Sequence, residues 1–138
     1  MVSDGIGNLM SLVQTLTYLG FSVDTDFDVS VNAEGVSTMR WLAASLQPTP
    51  AELAAAELPA AKQFAIAANR AECSRRIFER YPAGRQLSAI AGLYDSANVA
   101  TMTDWIAANI SAENTAADEI EAATTVAAVE AVSVSWPA

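Results

Sequence analysis

The sequence predicts an α+β fold, mainly α: an N-terminal helix and a β-hairpin, then a long helix and a C-terminal helical region. Three observations predict it. Apolar residues recur at helical spacing through most of the chain. One stretch, residues 22–31, instead alternates with period two. And 29 of the 138 residues are alanine, which favours helix more than it fills a core. Because alanine makes up so much of the 52% hydrophobic content, the bulky apolar set is small. A chain of this length is one domain, or a domain with a helical extension, and a large self-contained core is not expected. It reads as a subunit that buries part of its helical surface against a partner.

Each element has its own local cause. Leu9, Leu12, Val13, Leu16 and Leu19 share one side of a helix of about three turns, and Gly20 follows where a left-handed residue ends it. Val23, Thr25, Phe27, Val29 and Val31 then alternate with Ser22, Asp24, Asp26, Asp28 and Ser30, as in a strand with one solvated face. Asn32-Ala33-Glu34-Gly35 supplies turn chemistry, and Val36 to Leu42 returns antiparallel with Met39 and Trp41 facing inward. Two strands are marginal in water, so the hairpin must pack on a helix or a neighbouring chain. These elements make a head over residues 1–47, and residues 48–138 form a helical hairpin with a docked tail.

The helical region starts with a capping box. Thr49 caps, Pro50 takes the first helical position, and Glu52 reaches back. Pro59 either kinks this helix or begins a new one. From Ala60 to Tyr81 the pattern is helical. Phe64, Ala67, Ala71, Phe78 and Tyr81 form a stripe that Ile66, Cys73 and Ile77 widen, until Pro82 and Gly84 end it. Glu72 is spaced to pair with Arg75 or Arg76, and Glu79 with Arg75. Residues 85–94 read as a short helix carrying Leu87, Ile90, Leu93 and Tyr94, Asp95 to Asn98 as a break, and 99–122 as another helix with Val99, Met102, Trp105, Ile106, Ile110 and Ile120. Thr124 or Thr125 caps a last helix containing Val126, Val129 and Val132. Heptad-like order in 106–127 is short and diluted by alanine. Trp136-Pro137 closes the chain, and an aromatic beside proline favours a docked tail over one left in water.

Charge is unevenly spread. Six of the seven basic residues lie between Lys62 and Arg85, and none occurs in the last 53 positions. The net charge of −9 disfavours nucleic acid, and one basic helix is a weak phosphate footprint. Charge pairing within the protein or across subunits is the expected use of that helix. Met1 to Gly7 lacks the basic segment and cleavage site of a signal peptide, and no apolar run reaches the ~18 residues of a spanning helix, so no membrane partner is expected.

The inventory of reactive groups is thin. With no histidine, neither Cys73 nor any serine has an imidazole base, and Cys73 reads as a small buried hydrophobe despite nearby Arg70, Arg76 and Arg80. Asp24, Asp26 and Asp28 have the spacing of a calcium loop, but Val29 and Gly35 stand where that loop needs glycine and a bidentate Glu. Gly5-Ile6-Gly7 reads as a flexible terminus rather than a nucleotide loop, and the sequon Asn109-Ile110-Ser111 as incidental within a helix. Asp118, Glu119 and Glu121 read as a solvated helix face rather than a hydrolase pair. No enzyme, cofactor or metal is expected.

Trp41 followed by Gln47-Pro48-Thr49-Pro50-Ala51-Glu52-Leu53 resembles small proteins of tailed bacteriophages, in which an acidic β-segment and a Trp precede a P-T-x-x-E-L start to an Ala/Glu-rich helix. Ala122 to Val132 with the closing Trp136-Pro137 resembles the ends of tail-fibre assembly and fibre-associated proteins, and Tyr81-Pro82 with Arg85-Gln86-Leu87 resembles their connecting segment. The resemblance covers residues 40–138. It implies a virion structural or adaptor protein that contacts tail fibre or baseplate, or alternatively a transient tail-fibre assembly chaperone. The partners would be other tail proteins, or itself as a homo-oligomer, first in the host cytoplasm and then in the virion tail. No catalytic residue carries over. The expected partner-binding residues are Trp41, Arg75, Arg76, Arg80, Trp136 and Pro137, with opposite charge on the basic and acidic helices setting register. Trp105 is expected to pack in the core.

Overall fold

A computed structural model describes residues 2–3 and 6–138, with side chains from Leu9 onward. The chain is mainly helical with a small antiparallel sheet, in the order β1 (Val2–Ser3), α1 (Ile6–Tyr18), β2 (Phe27–Val31), β3 (Ser37–Trp41), α2 (Pro50–Arg80), α3 (Ala83–Ile90), α4 (Ser96–Ala122) and α5 (Val126–Ala131). Two compact units form. One comprises Met1–Phe64 with Thr124–Val126, the other Ala65–Ala123 with Ala127–Ala138, so the division falls within α2 rather than in the loop before it.

In the first unit, α1 starts three residues before the apolar pattern does. Ile6 and Gly7, expected to be flexible, belong to its first turn, whereas Gly5, and Met1 and Asp4 of the segment read for a signal, lie outside the described residues. The helix ends as expected at Gly20, at φ +95°. Gly20 N donates to Thr17 O and Phe21 N to Leu16 O, both at 3.0 Å, and Phe21 packs back on the cluster containing Leu16, as in a Schellman motif.

Among the described residues the sheet has three strands rather than two, in the order β1-β3-β2, because Val2 and Ser3 pair with Thr38 and Ser37. The hairpin register sets Phe27 against Trp41, Val29 against Met39 and Val31 against Ser37. Its turn is held by Asn32, whose Oδ1 accepts from Glu34 N at 3.0 Å and Val36 N at 2.9 Å. The strand is shorter than the alternating pattern. Residues 24–26 form a turn, because the aspartates bond to nearby backbone instead of to a ladder. Asp26 Oδ2 accepts from Ser22 N at 2.8 Å, and Asp24 sits at φ +66°, a left-handed conformation that Asp tolerates. The three aspartates therefore do not share one solvated face; Asp28 pairs across the hairpin with Arg40 at 3.2 Å. Leu16, Phe27 and Leu53 form the core, flanked by Leu12, Val13, Phe21, Val29, Met39 and Trp41.

The capping box forms as expected. Thr49 N donates to Glu52 Oε2 at 2.7 Å, and Glu52 N to Thr49 Oγ1 at 3.2 Å. The helix runs unbroken through Pro59. Proline denies the Ala55 carbonyl its usual donor, but both residues are exposed, so water can serve it.

In the second unit, α2 and α4 run antiparallel. Tyr81 meets Trp105, Arg76 meets Asn109 and Arg70 meets Glu113, so numbers fall along one helix as they rise along the other. This contact turns α2 away from the expected stripe. Cys73 and Ile77 are buried, whereas Ala67, Ala71 and Phe78 face outward, because α4 packs on the Cys73 side. On α4 the inward positions are Met102, Asn109, Glu113, Ala116 and Ile120, with Ile106 half-buried, and Ile110 is exposed. Asp95 is no break: it caps α4, its Oδ1 accepting from Asn98 N at 2.8 Å, so the helix starts at Ser96. The short helix ends at Ile90, where Gly92 at φ +78° turns the chain, so Leu93 and Tyr94 lie beyond α3.

Candidate interaction site

The chain's last residues dock on α2 and α4. Arg76, Arg80 and Tyr81 come from the end of α2, Trp105 and Asn109 from α4. Arg76 Nη2 donates to the Pro137 carbonyl oxygen at 2.6 Å, and its guanidinium carbon lies 5.4 Å from the centre of the Trp136 ring. Arg80 Nη1 donates to the Ala138 oxygen at 3.1 Å and Trp105 Nε1 to the same oxygen at 2.8 Å. Arg80 also lies over the Trp105 ring at 4.6 Å, and Tyr81 meets Trp105 edge-on at 5.7 Å. Trp105 is thus half-buried and holds the tail, beyond the core packing expected of it.

Asn109 organises this cluster from beneath. It is fully buried, accepts from Arg76 Nε at 3.1 Å and donates through Nδ2 to the Trp105 carbonyl at 2.9 Å. Its burial leaves no room for a glycan at the sequon. Of the expected partner-binding residues, Arg76, Arg80, Trp136 and Pro137 come together here, on the chain itself. Trp41 is elsewhere, half-buried in the first unit with its indole N–H donating to Ser45 O at 2.8 Å. Arg75 points outward between Glu72 and Glu79. Its hydrogen bond holds the Glu72 carboxyl below the usual carboxylate range, and the same bond, with both carboxylates nearby, raises Arg75.

Asn109, Glu113 and Tyr81 were not singled out as site residues by sequence. A signal existed. Met102, Ile106, Asn109, Glu113, Ala116 and Ile120 follow a four–three–four–three–four spacing, which places two polar residues in an otherwise apolar seam. Burial, then the Glu113 carboxylate, push the Cys73 thiol up, opposed only in part by Arg76, so Cys73 is a buried, unreactive group. Asp118, Glu119 and Glu121 flank buried Ile120 on the outside of α4. Among the described residues, no three His, Cys, Asp or Glu side chains gather as metal ligands do, and no helix is long and apolar enough to cross a membrane.

A second surface lies on α3 and the turn after it. The helix buries small Ala89 and exposes its bulky residues, Leu87 at 65% and Ile90 at 83%, and Leu93 in the turn after it is 74% exposed. Beside it, Tyr81, Arg85, Tyr94, Asn98, Thr101 and Met102 line a pocket of about 330 Å³. Comparison of the chain with protein families, with characterised proteins and with solved structures finds no match.

Proposed function

We propose that this chain is a non-enzymatic structural or adaptor subunit of a phage virion, binding tail-fibre or baseplate proteins. The observation that carries the binding role is the exposed apolar array of α3 and the turn after it. Leu87, Ile90 and Leu93 stand in water on a chain with few bulky apolar side chains, and clustered exposure of this kind marks a surface that a partner covers. An acidic chain without histidine has little means for acid–base or nucleophilic catalysis, which also favours a binding role. The phage assignment rests on the resemblance of residues 40–138 to small tail proteins, and the tail is their place in the particle.

Mass spectrometry of purified virions tests the reading. Peptides of this chain at a fixed ratio to tail proteins are the expected result. Their absence from virions, with presence in fibre-assembly intermediates, would assign the chain to transient chaperoning instead.

A further inference from the structure

We propose that the α3 surface receives an acidic amphipathic helix of a partner protein. This inference rests on the binding role above and names the chemistry of the partner. Leu87 and Ile90, one helical turn apart, share the outward side of α3, and Leu93 follows past the Gly92 turn with exposure of 74%. Such a row fits the apolar stripe of a helix laid across it. The neighbouring pocket has buried Met102 and the rings of Tyr81 and Tyr94 among its walls, so it accepts one apolar anchor side chain.

Charge selects the partner. From Tyr81 to Tyr94 the only charged residue is Arg85, which lies in the pocket wall. Among the described residues no carboxylate pairs with it; its Nη1 reaches the Arg80 carbonyl oxygen at a long 3.4 Å. The nearest acids in sequence on either side are already engaged: Glu79 pairs with Arg75, and Asp95 caps, with Oδ1 on Asn98 N at 2.8 Å and Oδ2 on Asn98 Nδ2 at 3.1 Å. A partner carboxylate beside its apolar anchors would complete Arg85 at the edge of a drying contact. A symmetric contact with a second copy is disfavoured, since the same segment of that copy, residues 81–94, holds no acid to meet Arg85.

The test uses the full chain and three fluorescent helical peptides with one leucine stripe, flanked by Glu, by Gln or by Lys. The Glu peptide should bind roughly tenfold tighter than the Gln peptide, and the Lys peptide weakest. Arg85→Glu should reverse the order, and Leu87→Asp should abolish binding of all three; both residues are exposed, and circular dichroism checks that the variants stay folded. Equal affinity for the Glu and Gln peptides, an order unchanged by Arg85→Glu, or no binding by any peptide overturns the proposal. So does a wild-type chain that dimerises in sedimentation and becomes monomeric with Leu87→Asp, which would give the surface to a second copy. Virion composition is read separately, so failure of the peptide test leaves the structural role standing, and absence from virions leaves the peptide result standing.

Discussion

Arg76 donates through Nε to Oδ1 of the fully buried Asn109 at 3.1 Å, joining two helices across 33 positions of sequence. The same guanidinium reaches Pro137, so one side chain satisfies a buried amide and holds the tail. Arg76→Ala removes both bonds and leaves a buried acceptor unpaired. It should destabilise the second unit by about 2–3 kcal/mol, read from urea midpoints, and expose residues 132–138 to protease. Arg76→Lys should recover little, because an ammonium lacks the planar fork that serves both acceptors.

Cys73 should resist thiol reagents at neutral pH in the folded protein and react at once in denaturant. Its thiol is raised in the fold by burial and by Glu113. The folded state therefore favours the neutral thiol, and that stability is complete below the unfolded thiol's pKa and lost as pH rises through and above it. Labelling with a maleimide, native and unfolded, measures the contrast. Rapid native labelling would contradict the burial.

Gly20→Ala should cost about 1–2 kcal/mol, through backbone conformation alone. The residue sits at φ +95°, and a Cβ added there meets nothing within 4 Å. Gly20→Asn should cost less, since Asn tolerates left-handed backbone better. Thermal melts of the two variants, followed by circular dichroism, measure the difference.

Phe27→Ala should be the most damaging single change in the first unit, at about 3–5 kcal/mol. Phe27 has no exposed surface, and among the described residues Leu16 and Leu53 share its buried cluster. The alanine-rich helices have little bulk with which to close the cavity. Urea unfolding of the variant gives the number.

Glu72 supplies the pH signature. Its carboxyl is held below its usual value of 4.5, first by the hydrogen bond from Arg75. A lowered folded-state value stabilises above the unfolded value and fades as pH falls through the folded one. Wild type and Glu72→Gln should therefore differ at neutral pH and converge in urea midpoints once pH falls below the folded-state value. The difference should be small and shrink in salt, because the group is exposed.

What could be read from the residues was local. The capping box at Thr49 and Glu52, the Gly20 stop, the Asn32 turn and the Glu72–Arg75–Glu79 pairing each involve groups within a few positions of each other. Two of the misreadings were local conflicts too. Asp24 and Asp26 satisfy the strand alternation, but the Asp26 side chain bonds to Ser22 N and Asp24 takes a left-handed backbone, and the turn prevails. Asp95 read as a break because a cap and a break use the same residue types.

The amino-acid order by itself determined the mainly helical α+β class, most of the turns and caps, and the poverty in catalytic groups, because those depend on short-range geometry and composition. Tertiary structure alone decided which side of α2 faces inward, that Asn109 is buried, where Trp136 and Pro137 rest, and that α3 turns its bulky side outward. Alanine-rich helices present nearly equivalent sides, so their orientation is chosen by contacts between distant segments, such as Arg76 with Pro137, 61 residues apart.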